Sequence, residues 1–231
     1  MLGFGSDFFI FLKCNNYYKL FFFVFSMDKQ NLLTVFNGIS SDEARTNFLL
    51  QLLESRKEIP KDFSQHAMDF MAERKRLDSA AEFAARAGLV KEEISLRERN
   101  KQFDLAGDAA ERAGLEDEAK RLYEVYIDEE IKKEVYWTWM RSFAVKKGLF
   151  AKAVEMYEVG AKERELKELT GQRVELLEDG AKFAEEHCLP VVAKRMYRKA
   201  SDECWREDGV PEDTYKRELT FRAIELAKKA G

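Results

Sequence analysis

Apolar and small residues return along this chain at helical spacing, and the pattern itself repeats. Phe103, Ala106, Gly107, Ala110, Gly114, Ala119 and Tyr123 align with Trp137, Met140, Arg141, Ala144, Gly148, Ala153 and Tyr157, every pair 34 residues apart. That interval is the length of one helix-turn-helix unit. A third copy, Leu177, Gly180, Ala181, Ala184, Cys188, Ala193 and Tyr197, follows at an offset of 40, which places extra residues between the second and third units. Upstream, Leu77 to Leu89 matches Phe103 to Leu115 at an offset of 26 with seven of thirteen positions identical, so this segment is a duplicate. The shorter offset predicts an abbreviated second helix over about Lys91 to Arg99.

Local signals set the boundaries. Asn37 to Ser40 reads as a loop, and Ser40 with Glu43 three residues later forms a capping box that starts a helix whose apolar stripe is Phe48, Leu49, Leu52 and Leu53. Pro60 ends that helix and leaves Lys61 to open the next, with Phe63, Ala67, Phe70 and Met71 on one side. Ala87-Gly88-Leu89, Ala113-Gly114-Leu115 and Lys147-Gly148-Leu149 are helix stops. Glycine takes the left-handed conformation there, the following leucine folds back on the last turn, and the preceding cations Arg86, Arg112, Lys146 and Lys147 complement the helix C-terminus. Ala223, Ile224 and Ala227 predict a last helix that is the first half of a further unit, with Lys216, Arg217, Arg222 and Glu225 as a polar cap. Small residues such as Ala106, Gly107 and Ala110 let neighbouring helices approach, while Phe103, Tyr123, Trp137, Tyr157 and Tyr197 fill the space opposite.

These residues resemble the tetratricopeptide pattern: Trp137, Met140 and Ala144, then Ala153 and Tyr157, stand where that family has Trp, Leu, Tyr, Ala and Phe. The resemblance covers residues 101 to 207 well and 77 to 100 in shortened form; alanine-rich hairpins also build coat-protein and other solenoids. It implies an all-α, right-handed α-solenoid of helical hairpins, one tetratricopeptide-like domain over residues 27–231. It also implies a non-catalytic adaptor that holds a peptide or helix on the concave face of its first helices. By register that face carries Lys101, Asp104, Asp108 and Glu111, then Thr138, Ser142 and Val145, then Glu178, Lys182 and Glu185. Arg141 departs from the family's small residue, unit-closing prolines are missing, and Pro190 sits in the turn of the third copy. The Lys and Asn set with which the chaperone-binding subclass grips a terminal carboxylate is not present, so a basic or amphipathic helical partner fits better than an acidic tail. In Tyr136-Trp137-Thr138-Trp139-Met140, Trp137 aligns with the core aromatic, whereas Trp139 points elsewhere and is a candidate exposed anchor. Trp205 is a candidate cover for the end of the stack. The alternative is a self-assembling structural protein, a homodimer, in which the shortened hairpin and apolar N-terminal segment bury against a second copy.

Composition changes the picture at the N-terminus. Residues 1–26 hold eight Phe and, of the chain's 39 Lys/Arg and 43 Asp/Glu, only Asp7, Lys13 and Lys19. The rest is roughly 39% charged, far above the ~25% of an ordinary domain and of the kind found in the ion-pair networks of heat-adapted proteins. Three readings of the extension stay open: a start at Met27 with a misassigned upstream segment, a signal or weak anchor, or a disordered tail. The apolar run Leu20 to Phe25 is short for a membrane span. Net charge is −4 with both signs interleaved, which argues against nucleic acid. Cys14, Cys188 and Cys204 offer no disulfide framework and no CxxC pair, which predicts a reducing, cytoplasmic setting.

Candidate chemistry is sparse. His66 and His187 are the two histidines; His187, Cys188 and Cys204 make an incomplete metal set, so Cys188 reads as a buried turn residue and His187 as a helix-end residue. Asp128-Glu129-Glu130 reads as a solvated face. With no Gly-rich phosphate loop, GxSxG or nucleophile-base pair, the sequence predicts neither an enzyme nor a cofactor.

Overall fold

The computed structural model describes residues 29–55, 58–133, 136–166, 170–206, 222 and 224–231. The apolar segment 1–26 with Cys14, the Met27 start, and Lys216, Arg217 and Ala223 lie outside the described residues. Every regular element among the described residues is a helix: α1 (Lys29–Gly38), α2 (Asp42–Glu54), α3 (Lys61–Glu73), α4 (Leu77–Ala87), α5 (Val90–Arg99), α6 (Phe103–Arg112), α7 (Glu116–Lys132), α8 (Trp137–Lys146), α9 (Phe150–Leu166), α10 (Thr170–Glu186) and α11 (Pro190–Arg206), followed by a helical stretch over 224–230. They form two compact units, Met1–Leu115 and Glu116–Gly231. Within the first, α3 packs on α4, α4 on α5 and α5 on α6, with α2 against α4; within the second, each helix from α7 to α11 packs on the next, as short connections favour.

One backbone device makes those turns. The N–H of Leu89 donates to the Ala84 carbonyl, Leu115 to Ala110, Leu149 to Ala144 and Leu189 to Ala184, at 2.8–2.9 Å. Each is the long bond of a Schellman turn, and the residue before each leucine is left-handed: Gly88, Gly114, Gly148 and Cys188, with φ of 70°, 73°, 71° and 59°. Arg76 to Met71 and Gln102 to Arg97 repeat the bond with Lys75 and Lys101 at positive φ. Cys188 therefore occupies the glycine position of its unit, and it is exposed rather than buried, because the turn points its side chain to solvent. A Cβ costs about 1 kcal/mol in this conformation. Cys188→Gly is expected to raise unfolding stability by roughly 0.5–1 kcal/mol, measured as a higher denaturant midpoint at constant slope; an unchanged or lower midpoint contradicts the strain.

Several boundaries differ from the sequence expectation: α2 closes at Glu54, capped by Ser55, rather than running to Pro60. The cap of α2 is Ser41, whose Oγ accepts from the Ala44 N–H at 3.1 Å, one residue beyond Ser40. α1 runs through Asn37 and Gly38, so the loop shrinks to Ile39, Ser40 and Ser41; Phe36, 1% exposed, anchors that helix against Phe63 and Phe70 with rings edge-on at 5.9 and 5.1 Å. The extra residues of the third copy do not form a separate linker among the described residues. They lengthen α10, whose segment Leu177–Glu186 matches the whole of α8.

The first unit's core runs through Leu32, Phe36, Phe48, Leu49, Leu52, Phe63, Met71 and Phe83. Arg74 pairs with Asp42 at 2.5 Å, and Arg86 donates to the Leu53 carbonyl at 2.6 Å, tying α3 and α4 to α2. The second unit's core runs through Val154, Tyr157, Val174, Leu177, Met196 and Tyr197, with Leu226 of the terminal stretch. Glycines set the helix approach here. A Cβ on Gly160 of α9 would lie 2.6 Å from Cε2 of Trp137, and one on Gly180 of α10 would lie 2.6 Å from Cε of Met196 and 2.9 Å from Cβ of Tyr157.

Candidate partner-binding surfaces

Small-molecule chemistry needs a concavity with convergent polar groups. In the first unit a groove of about 470 Å³ lies over α4, α5 and α6, with Glu93, Arg97 and Arg112 along it. Glu93 Oε1 accepts from Arg97 Nε at 3.0 Å and from Arg112 Nη2 at 2.9 Å. Glu93 and Arg97 are buried, whereas Arg112 is mostly exposed. In the second unit a groove of about 680 Å³ lies over α9, α10 and α11. Arg173 pairs with Glu203 at 2.7 Å, and Glu158 pairs with Arg195 at 3.0 Å and Lys199 at 2.5 Å. These cations and carboxylates are ion-paired with one another, so both grooves are lined by helix-to-helix clamps, although Glu158 Oε1 in the second is buried without a hydrogen bond.

The histidine and cysteines with candidate chemistry have packing or turn roles. His187 stacks on Phe150 at 3.9 Å with ring planes 14° apart and lies 4.3 Å from Phe183. Cys204 is buried and Cys188 is exposed. Among the described residues no group of His, Cys, Asp and Glu is arranged to hold a metal ion, and none of the helices is long and apolar enough to cross a membrane.

The residues assigned by register to a partner-binding face fall in both units. In the first, Lys101 is the left-handed turn residue before α6, and Asp104, Asp108 and Glu111 lie on that helix, Glu111 exposed and the two aspartates half-buried. In the second, Thr138, Trp139, Ser142 and Val145 are exposed on α8, with Ser142 Oγ donating to the Thr138 carbonyl at 3.0 Å. On α10, Glu178 takes the Arg222 guanidinium at 2.5 Å and Lys182 at 4.0 Å, and Glu185 accepts from the Tyr197 hydroxyl at 3.0 Å. Burial, then the hydrogen bond to Glu185, push the Tyr197 phenol up to about 12, so it stays a neutral donor. The hydrogen bond from Arg222 to Glu178 likewise raises the guanidinium pKa. Glu178 and Glu185 thus serve the stack as well as its surface. Elsewhere in this unit, burial opposes the charge on Lys152, but its bonds to Asp128 at 2.8 Å and Glu155 at 3.0 Å outweigh that and raise its pKa.

Sequence reasoning missed the company Trp139 keeps. Trp137 is packed against α9, as its alignment implied, while Trp139 is 52% exposed beside Tyr126 of α7 and Phe143 of α8, each ring 6.4 Å away. The Trp139–Phe143 spacing of one helical turn was the available signal; Tyr126 is brought in by the hairpin. The fold and surfaces thus define an all-α protein of successively packed helices. No protein-family model and no curated protein matches this sequence.

Proposed function

We propose that this chain is a non-catalytic, cytoplasmic adaptor: a tetratricopeptide-like, right-handed array of helical hairpins that holds a basic or amphipathic helix of a partner protein on the exposed sides of its first helices. One observation carries the reading. A ten-residue first helix, a left-handed turn and a seventeen-residue second helix occur as α6–α7 and again as α8–α9, and α10–α11 keeps the turn and the second-helix length while its first helix is extended. Such units bury their small-residue seams against neighbours and leave the outer sides of their first helices to a ligand. The acidic character of α10, with five carboxylates against Arg173 and Lys182, complements a basic partner.

Affinity capture and sedimentation test this. Affinity capture from the native organism is expected to retain a discrete protein that Asp104→Lys with Glu111→Lys, and separately Thr138→Arg with Ser142→Arg, release by at least about ten-fold, with the helical circular dichroism unchanged. Equal capture by all variants rejects the face. A concentration-dependent dimer in sedimentation, released by the same substitutions, would assign that face to a second copy.

A further inference from the structure

Trp139 is the outer member of a continuous aromatic plate. Tyr126 meets Phe143 at 5.1 Å, Phe143 meets Tyr123 at 5.6 Å, and Trp139 adjoins both Tyr126 and Phe143. Tyr136, immediately before α8, is 83% exposed. The inner edge is pinned: Lys147 Nζ lies 4.2 Å from the Tyr123 ring centroid and donates to its hydroxyl at 2.7 Å. A large aromatic held rigid and half in water loses little entropy on binding, which is how binding hot spots are built.

Charge decides what such a plate accepts. α7 carries seven carboxylates against Lys120, Arg121 and Lys132. The antiparallel register sets Tyr123 against Phe143 and Lys147, and Tyr126 against Phe143 and Trp139; one turn further along α7, Glu129 and Glu130 come level with Trp139 and Tyr136. Both carboxylates already favour cations, holding Lys132 and Lys133 at 2.6 Å and raising their ammonium pKa values through those hydrogen bonds. The two lysines are mostly exposed, and ion pairs of exposed lysines three residues along a helix are weak. A partner's cation displaces them at little cost. The cations of α8 do not oppose it: Arg141 lies over the Trp137 and Tyr157 rings, and Lys146 is two turns from Trp139.

We infer that the α7–α8 hairpin is the docking point for an arginine-bearing amphipathic helix of a partner protein, its guanidinium stacked on the exposed indole of Trp139 and hydrogen-bonded to Glu129 and Glu130, its apolar side on Tyr136. Arginine fits better than lysine because its planar group stacks on an aromatic face while its edge still reaches a carboxylate. The inference rests on the adaptor reading and adds the chemistry of the residue that is gripped.

The test uses the chain labelled with 5-fluorotryptophan, the Trp139 resonance assigned by its loss in Trp139→Phe. The probe is a synthetic amphipathic helix of about 18 residues built from Leu, Ala and Arg, with a counterpart in which Gln replaces Arg. The Arg peptide is expected to shift the Trp139 resonance saturably and leave that of buried Trp137 in place. Trp139→Ala is expected to weaken binding at least about ten-fold and Glu129→Gln with Glu130→Gln roughly three- to ten-fold, with unchanged circular dichroism, and the Gln peptide to bind far more weakly. Undiminished binding to Trp139→Ala, equal binding of the Gln peptide, or no saturable binding overturns the site. Peptide binding that moves α10 amides but not Trp139 overturns this site while leaving the adaptor reading intact, and the capture experiment tests that reading separately.

Discussion

Glu93→Leu is expected to destabilise the first unit by about 3–5 kcal/mol, because it leaves the buried Arg97 guanidinium without its carboxylate. Glu93 and Arg97 sit one turn apart on α5 with side chains 4% and 9% exposed, and the same oxygen, Glu93 Oε1, also receives Arg112 from α6. Removing the acid strands one cation in low dielectric, whereas Arg112, 62% exposed, can turn to water. Glu93→Leu with Arg97→Met removes both buried charges and fills their volume with apolar atoms, so it should recover most of the loss. Denaturant unfolding of the two variants beside the parent measures this; a single variant within about 0.5 kcal/mol of the parent, the range of ordinary surface changes, would show that the pair is not desolvated.

Gly160→Ala and Gly180→Ala carry the second large expectation, a net loss of about 1–3 kcal/mol each despite a helix propensity that favours alanine by about 1 kcal/mol. At Gly160 the new methyl group meets three atoms of the Trp137 indole at 2.6–2.9 Å, and that ring is held between α8 and α9. At Gly180 the Met196 methyl can swing aside, but Cβ of Tyr157, 2.9 Å away, can move only with its own backbone, so α9 and α10 must part. Gly38, with nothing within 4 Å of an added Cβ, is the control: alanine there should be neutral or stabilising by up to about 1 kcal/mol. If all three substitutions raise the thermal midpoint alike, close helix approach does not depend on these glycines.

Much of the fold is legible in the sequence because its cues are local. The glycine-leucine stops at Gly88, Gly114 and Gly148, Pro60 before α3 and the short α5 all follow from what one residue does to its neighbours. The aligned positions Ala106, Ala110, Met140, Ala144, Ala153, Ala181, Ala184 and Ala193 are buried throughout. The cap of α2 moves by one residue because Ser40 and Ser41 are chemically equivalent and only the entry angle of the chain chooses between them. Asn37-Gly38 has the residues of a turn, yet α1 continues through it because the burial of Phe36 against Phe63 and Phe70 outweighs that preference.

The candidate surface is legible only in outline. Register can put Glu178 and Glu185 on an outer face, but not reveal that Arg222 and Tyr197 reach them from distant segments. Trp139 can be separated from Trp137 by helical geometry alone, while the plate around it needs Tyr126 from another helix. Gly160 carries no sequence signal, since its requirement is set by an indole more than twenty residues away.

The sequence by itself determined that the chain is helical, where most of its helices stop, and which positions recur, since propensity, capping and left-handed turns act within a few residues. Tertiary structure decided which charges are buried as pairs, which glycines are contact points and which aromatic rings share a surface. Those properties depend on the distance between helices, and that distance is fixed by the side chains of both partners together.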